Sequence, residues 1–263
     1  MTIYVIATPK GGVGKTTTAA EIVAALARAG RKVLALDLDQ QGNLTGRLGV
    51  TPATEVAGTM ADILAGDIEL TEAAVPAPAV DGVDVAVGGH ALADVEAAPP
   101  GDLITFLRDE LRTDAVAGRW DDVVIDTPPS VAALSLAGLA AADTIIATVT
   151  PTVEAFDQLK RLQALIDARL GRRINRGARI DWIVPVMFGA GAVAGRGRLL
   201  DREVLQQLKA TYGDRVTASV REAVVVRDAY MDGRPVSVYD PTAPVTADYH
   251  HALQAILGTE VAA

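Results

Sequence analysis

Short apolar runs and longer helical stretches alternate along most of this chain. The apolar runs are typical of strands buried on both faces, and stretches with a period near 3.6 residues are typical of helices. The runs predict strands at Ile3–Ala7, Val33–Asp37, Asp84–Val87, Asp122–Asp126, Thr144–Val149, Ile180–Met187 and Val216–Val220. The helical stretches predict helices at Thr17–Ala29, Thr59–Ala65, Leu103–Leu111, Ala132–Ala141, Val153–Leu170, Leu199–Tyr212 and Thr242–Leu257.

This alternation predicts an α/β fold. Strands joined by helices pair in parallel, so we expect a mostly parallel, twisted sheet with helices on both faces. The length of 263 residues suits one domain over residues 1–263. Two stretches lack a regular pattern, Ala73–Pro100 and the glycine-rich Gly189–Arg198. The second is either a nucleic-acid contact or a loose surface loop.

A glycine-rich segment, Lys10–Thr18, lies between the first strand and the first helix. Glycines allow backbone N–H groups to turn toward an anion, and the helix N-terminus adds partial positive charge there. Lys15 can then reach the β- and γ-phosphates of a nucleotide, and Thr16 can ligate Mg²⁺. The segment predicts a P-loop nucleotide site, whose binding residues are Lys10, Gly11, Gly12, Val13, Gly14, Lys15, Thr16 and Thr17. The alternative is a chance glycine-rich turn.

The segment departs from the usual G-x-x-x-x-G-K-[ST] pattern at its first position. Pro9 stands where the first glycine belongs, and Lys10 adds a second lysine. This exchange is the signature of a deviant Walker A motif. Because Lys15 already serves the phosphates, we expect Lys10 to point toward the nucleotide of a facing subunit and to contribute charge to its reaction. The alternative is a solvated surface lysine.

Acidic residues follow two of the predicted strands. Asp37 and Asp39 end the second strand, and an acid beside a triphosphate requires Mg²⁺ or a water molecule between them. One of these acids can orient the attacking water; the alternative is that Asp39 and Asn43 only form the turn. The apolar run ending in Asp126 has the form of a Walker B element, and we expect Asp126 and Thr16 to hold Mg²⁺.

Composition excludes several other classes of protein. The chain has no cysteine, which excludes disulfides, thiolate metal sites and iron–sulfur clusters. There is no apolar run of membrane-spanning length. The first residues lead straight into a strand and the phosphate loop, so we expect no signal peptide and no N-terminal helix-turn-helix domain. A cytoplasmic protein is the simplest interpretation.

Charge is distributed unevenly along the chain. The net charge is −9, but residues 158–234 hold 15 Lys and Arg against 8 Asp and Glu. The rest of the chain holds 9 basic and 25 acidic residues. A basic third on an acidic body could bind a polyanion through one face, and the alternative is an ordinary solvated surface.

Together these motifs resemble the ParA/MinD superfamily of deviant Walker A ATPases. Lys10–Thr17 is similar to its nucleotide loop, Asp37–Asn43 to its D-x-D-x-Q-G-N element and Asp126–Pro129 to its D-x-P-P element. Gly233–Val236 and Tyr239–Pro241 resemble a C-terminal stretch of ParA partition proteins. The match covers nearly the whole chain and implies a P-loop NTPase fold.

The resemblance also implies a function. It implies an ATP- and Mg²⁺-dependent sandwich homodimer that binds double-stranded DNA non-specifically on the nucleoid and hydrolyses ATP slowly. A ParB-type activator stimulates that hydrolysis, and the cycle moves a plasmid, phage genome or chromosome origin. By the same resemblance Lys10, Lys15 and Asp39 are catalytic, and Gly12 must stay small for the dimer to close.

The chain departs from the family at three places, and the first is Gln40, which stands where the family has a proline after the second Asp. The Pro-Arg-Asn group that meets the adenine is replaced by Val220–Ala223, which leaves the adenine contacts open in detail. We include Met187 and Arg221 among the expected cofactor-binding residues. An arginine that relatives use for DNA is replaced by Val225. The charge asymmetry therefore suggests other DNA contacts: Arg196, Arg198, Arg202, Arg221 and Arg227.

Two other functions remain open within this superfamily. A ParA-like ATPase can position a protein cargo instead of DNA. A MinD-like ATPase cycles on membranes through a C-terminal amphipathic helix rich in Lys or Arg. No Lys or Arg follows Arg234, so we expect no membrane partner.

Overall fold

A seven-stranded sheet forms the centre of the molecule. The structure is a computed structural model, and it describes residues 1–171, 173–189, 191 and 198–258. The strands are β1 (Thr2–Ile6), β2 (Val33–Asp37), β3 (Val75–Pro76), β4 (Val83–Ala86), β5 (Asp122–Asp126), β6 (Thr144–Val149) and β7 (Ile180–Pro185). Their order is β3-β4-β2-β5-β1-β6-β7. All pairs are parallel except β3–β4, which is antiparallel.

Helices connect the strands and cover both faces of the sheet. In the first half of the chain they are α1 (Lys15–Arg28), α2 (Asn43–Arg47), α3 (Met60–Ala65), α4 (Leu70–Ala73), α5 (Leu92–Ala97), α6 (Leu103–Glu110) and α7 (Asp114–Arg119). In the second half they are α8 (Ala133–Ala141), α9 (Ala155–Arg169), α10 (Leu199–Tyr212), α11 (Val225–Met231), α12 (Val236–Tyr239) and α13 (Pro244–Leu257). None of these described helices is long and apolar enough to cross a lipid bilayer.

The core has two layers, one on each side of the sheet. Successive side chains of a strand point to opposite faces, so Ile3 and Val5 pack with α6, α8 and α9, whereas Ile6 packs with α1 and α13. Every residue of β2 and β5 is buried, which explains why these strands are apolar without alternation. The predicted fold class is confirmed.

Most predicted elements are present, and several have the predicted bounds. Strands Val33–Asp37, Asp122–Asp126 and Thr144–Val149 and helix Leu199–Tyr212 match residue for residue. The predicted strand Val216–Val220 is wrong. That segment contacts β7 through an isolated bridge, Ile183 with Val216, and a second isolated bridge joins Phe188 to Arg221 just beyond both elements. These single-residue bridges do not form the continuous ladder of a paired strand.

Sequence patterns missed the shortest elements. Helices α2, α4, α5, α7 and α11 have four to seven residues, too few for a helical period to stand out. The stretch predicted as irregular, Ala73–Pro100, contains β3 and α5 in addition to β4, which is the predicted strand Asp84–Val87 with its bounds shifted by one residue. Most of Gly189–Arg198 lies outside the described residues, so that interpretation stays open.

Candidate nucleotide-binding and catalytic site

Three neighbouring strands bring the predicted site residues to one edge of the sheet. β5 lies between β1 and β2, with Asp126 in register with Ile6 on one side and Asp37 on the other. The phosphate loop follows β1 directly, and Asp39 follows β2. Parallel strands end at the same edge, so these groups converge where α/β proteins bind their ligands.

The phosphate loop has the backbone conformation that its glycines allow. Gly12 and Gly14 have φ angles of 71° and 74°, in the left-handed region. A Cβ on Gly14 would lie 3.1 Å from Val186, so the loop also packs tightly against the segment after β7. The first turn of α1 contains no acid, and its N-terminus therefore offers an unopposed positive end to an anion.

Lys15 lies inside this loop. Its side chain is buried, and its Nζ donates a hydrogen bond to the Lys10 carbonyl at 2.8 Å. Burial lowers the pKa of Lys15, while Asp126 and Asp39 act in the opposite direction. The Lys15 ammonium therefore lies inside the curve of the phosphate loop, which is where a group that binds phosphate has to be. Lys10 is half-buried at the start of the loop.

Asp37 is fully buried and fully hydrogen-bonded. Its Oδ1 accepts the Asp39 N–H at 3.1 Å, and its Oδ2 accepts both the N–H and the hydroxyl of Thr45 at 2.9 Å. The Thr45 hydroxyl in turn accepts the Gly88 N–H at 3.0 Å. A Cβ on Gly88 would lie 2.5 Å from the Asp37 carbonyl oxygen. Asp37 therefore ties together β2, α2 and the loop after β4.

Asp126 is equally buried, but neither of its carboxylate oxygens has a hydrogen-bond partner among the described residues. Burial, together with the charge of Asp37, raises the pKa of Asp126 to about 8, and Thr16 and Lys15 partly offset that rise. Two unpaired acceptor oxygens beside the Thr16 hydroxyl fit a hard divalent cation, which prefers oxygen ligands. Thr16 and Asp126 are therefore suited to hold Mg²⁺ together with nucleotide phosphates. No cluster of three acidic or histidine ligands occurs in the described part of the chain, consistent with a cation that takes its remaining ligands from phosphate and water.

Asp39 faces the space in front of the phosphate loop. It lines the same cavity as Lys15 and Thr16, and its Oδ1 accepts the Gln41 N–H at 3.0 Å. The turn predicted as an alternative is thus present, since the Gly42 N–H also donates to the Asp39 carbonyl. Forming the turn leaves Oδ2 of Asp39 without a partner in that turn, so the turn is compatible with a water-orienting role for Asp39, which stays a prediction.

A cavity of about 840 Å³ joins these groups to the C-terminal part of the chain. That volume suits a ligand of nucleotide size. Its walls include the predicted nucleotide residues Gly11, Gly12, Val13, Gly14, Lys15, Thr16, Thr17, Met187 and Arg221. Met187 has a φ angle of 61° although it is not glycine, a strained conformation of the kind that concentrates at binding sites.

The five residues predicted to contact DNA lie in different surroundings. Arg198 and Arg227 line the nucleotide cavity, and Arg202 is exposed on α10. Arg221 also lines the cavity, and its Nη2 donates to the Asp248 carboxylate at 2.8 Å, so its charge is already paired. Arg196 lies outside the described residues. Arg198, Arg221 and Arg227 thus share the wall of one cavity, and contact between DNA and the predicted arginines stays a prediction.

Sequence reasoning missed one group of cavity residues. Tyr230 donates a hydrogen bond to Asn43 at 2.8 Å, and the Arg47 guanidinium lies 4.8 Å from the centre of the Tyr230 ring. Arg47 and Tyr249 are buried in the same wall. These residues join α2 to α11, two helices that the sequence patterns did not predict, so no local signal marked them.

Comparison with known proteins now gives the class and the family. A family model described as an AAA domain matches residues 1–178. The chromosome partitioning protein ParA of Caulobacter vibrioides is 32% identical over 241 residues, 90% of this chain and 87% of that protein. The chromosome-partitioning ATPase Soj of Thermus thermophilus is 32% identical over 258 residues, 96% of this chain and 94% of that protein. The chain therefore belongs to the ParA family of P-loop ATPases.

Solved structures show the same fold. Apo McdA from Cyanothece superposes with a TM-score of 0.83 at 21% identity, over 97% of this chain and 99% of that one. A putative plasmid partition protein from Borrelia burgdorferi, solved with AMPPNP, has a TM-score of 0.78 at 20% identity, over 97% and 98%. At these identities the likeness concerns the fold alone.

Proposed function

We propose that this chain is a Mg²⁺-dependent ATPase of the partition type, whose ATP-bound form closes as a sandwich homodimer and binds DNA without sequence preference. The observation that carries the proposal is the buried Asp126, with two unpaired oxygens, beside Lys15 and Thr16 at the phosphate loop. A fold needs no such group for its stability, because an unpaired buried carboxylate is costly. A site for a nucleotide and its metal ion explains it.

In the proposed reaction each residue has a separate task. The N–H groups of Gly12–Lys15 and the Lys15 ammonium bind the phosphates, and Thr16 and Asp126 hold the metal ion. Bound there, Mg²⁺ neutralises charge that develops on the transferred phosphoryl group. Asp39, which lines the same cavity, orients the attacking water.

The dimer is proposed from the outer side of the phosphate loop. Gly11 and Gly12 are exposed, and Lys10 stands beside them half-buried. A Cβ on Gly12 would meet nothing within 4 Å in this chain, so its φ of 71° is the local reason for glycine. A larger side chain at Gly12 would project from the outer side of the phosphate loop into a facing protomer. Lys10 would then contribute its charge to the partner's nucleotide.

The cargo and activator are proposed from the relatives. ParA and Soj are named for chromosome partitioning. We infer the same DNA-based task here, with hydrolysis stimulated by a ParB-type activator.

The test is binding of a labelled duplex of arbitrary sequence, measured by fluorescence anisotropy with ATP, with ADP and with no nucleotide at two salt concentrations. Asp39→Ala serves as a variant expected to bind ATP and hydrolyse it poorly, and Lys15→Ala as the control that binds no ATP. We expect tight binding with ATP alone, persistence in Asp39→Ala, loss in Lys15→Ala and weakening with salt. Equal binding in all nucleotide states, or none in any state, would contradict the proposal.

A further inference from the structure

The turn between α9 and β7 is the most basic segment of the chain. Residues 168–180 contain five arginines and no acid. Residues 48–107, which include the opposite edge of the sheet, contain ten Asp and Glu and no Lys or Arg. Positive charge is therefore concentrated beside edge strand β7, and the β3–β4 edge is acidic. We call the described residues 169–171 and 173–179 the arginine turn.

The described arginines of this turn face solvent. Arg169, Arg173, Arg176 and Arg179 are all exposed. Arg179 lies 3.6 Å from Asp181, a long contact between two partly exposed groups. No carboxylate of a described residue lies within 4 Å of the other three guanidinium groups. Their charge is available to an external anion.

The backbone of the arginine turn is held in place by two side chains. The Asn175 amide donates to the carbonyls of Leu139 and Ala142, at 3.2 and 2.8 Å, at the end of α8. Arg108 on α6 donates to the Ile174 carbonyl at 3.1 Å. Ile174 itself packs against the core. The arginine turn is thus fixed to the body of the molecule, so binding a ligand there costs little conformational entropy.

The arginine turn lies far from the nucleotide cavity. It precedes β7, whereas Val186 and Met187 follow β7 and line the cavity. Six residues of strand separate the two ends, about 20 Å at about 3.3 Å per residue. A ligand on the arginine turn would therefore leave the phosphate loop free to bind ATP and the outer side of that loop free to face a second protomer.

We propose that the arginine turn binds the phosphate backbone of double-stranded DNA. Guanidinium groups match phosphate oxygens in a two-pronged geometry, and a row of them on a rigid turn favours an extended polyanion. A lipid surface is disfavoured because interfacial binding needs exposed apolar side chains beside the cations. Between Val153 and Met187 no described large apolar residue is exposed. The proposal rests on the proposed function, since it locates the DNA that the ATPase would bind.

The test compares two charge-matched variants of the full chain with ATP and Mg²⁺. Arg173→Ala/Arg176→Ala removes two charges from the turn. Arg28→Ala/Lys32→Ala removes two exposed charges at α1 and β2, four strands from β7, or about 19 Å across the sheet. We expect the first variant to bind duplex DNA about 10- to 100-fold more weakly near 0.1 M salt, with the slope of log K against log salt reduced by about 2. The control should keep its affinity within about threefold, and Arg173→Lys/Arg176→Lys should retain most binding.

The outcomes separate two proposals, the location of the DNA surface and the control of DNA binding by the nucleotide. If wild type binds DNA and Arg173→Ala/Arg176→Ala binds equally well, the arginine turn is not the DNA surface, but the proposed function stands. If the turn variant loses affinity and binding ignores the nucleotide, the DNA surface is supported and the ATP-dependent cycle is contradicted. Absence of DNA binding in every state contradicts both. Binding of wild type to anionic phosphatidylglycerol vesicles, lost in the turn variant while DNA binding is unchanged, would overturn the proposal in favour of a lipid surface.

Discussion

Asp37 and Asp126 occupy equivalent positions on neighbouring strands, yet their surroundings differ. Both end a buried apolar strand, both are fully buried, and they are in register with each other. Asp37 accepts three hydrogen bonds, from Asp39 and Thr45. Asp126 accepts none from the described residues.

The difference distinguishes Asp37, whose carboxylate holds loops together, from Asp126, which we propose as a ligand of a metal ion. Burial raises the pKa of Asp37 to about 6, and its three hydrogen bonds act against the rise. Burial and the charge of Asp37 raise the pKa of Asp126 to about 8, and the Thr16 hydroxyl and Lys15 only partly offset that rise. Position and burial are alike, so the three hydrogen bonds to Asp37 are what mark it as the acid that joins two loops, and we propose Asp126 as the acid that holds a metal ion.

The largest expected effect is on catalysis. Asp126→Asn removes the proposed metal ligand and should lower ATP hydrolysis by about 100-fold or more, because loss of a direct ligand exceeds the cost of losing the groups around it. The melting temperature without nucleotide should not fall, since an amide replaces an unpaired carboxyl. Phosphate release and thermal unfolding measure the two effects. Normal hydrolysis with lowered stability would reverse the assignment.

The pH dependence of stability should separate the two acids. The folded pKa of Asp126, about 8, lies above its unfolded value near 4, so its contribution to stability is full below about pH 4 and is lost as pH rises to about 8. Asp37 acts in the same direction up to about pH 6. Nucleotide-free wild type should therefore lose stability between about pH 6 and 8 more steeply than Asp126→Asn. Parallel unfolding curves for the two proteins over that range would contradict the assignment.

Asp37→Asn should act mainly on stability. An amide cannot accept all three hydrogen bonds, so the free energy of unfolding should fall by about 1–3 kcal/mol. Chemical denaturation measures this loss. At a temperature where the variant is folded, it should still bind ATP in the presence of Mg²⁺. An unchanged stability would show that the three bonds to Asp37 contribute nothing.

The smallest expected effect concerns Thr45. Thr45→Val keeps the backbone bond to Asp37 but removes the hydroxyl that joins Asp37 to the Gly88 N–H. We expect a loss of about 1 kcal/mol in unfolding free energy, with ATP hydrolysis within about twofold of wild type. Thr16→Val removes the corresponding hydroxyl near Asp126 and is the matched control, expected to impair hydrolysis instead.

Local sequence was sufficient for the phosphate loop and the strands around it. Lys10–Thr18 is a contiguous motif, and the apolar runs of β2 and β5 are continuous, so their positions follow from neighbouring residues. The roles of Asp37 and Asp126 could not be separated in this way. Asp37 is satisfied by Thr45 and, through it, by Gly88, contacts that depend on how loops after two different strands meet.

The far wall of the cavity was not predicted for the same reason. Tyr230 meets Asn43 across 187 positions of the chain, and both lie on helices too short to show a period. The predicted strand Val216–Val220 failed because apolar content alone does not distinguish a paired strand from a covered segment with single bridges. The charge asymmetry was visible in the sequence, but the arginine turn emerged only when exposure and pairing were known.

We propose that Asp126, and not Asp37, holds the metal ion of a bound nucleotide. The most direct measurement is ATP affinity by calorimetry, with Mg²⁺ and with EDTA, for wild type, Asp37→Asn and Asp126→Asn. We expect Mg²⁺ to strengthen ATP binding in wild type and Asp37→Asn, and to have little effect in Asp126→Asn. An undiminished effect of Mg²⁺ in Asp126→Asn, or its loss in a folded Asp37→Asn, would contradict the account.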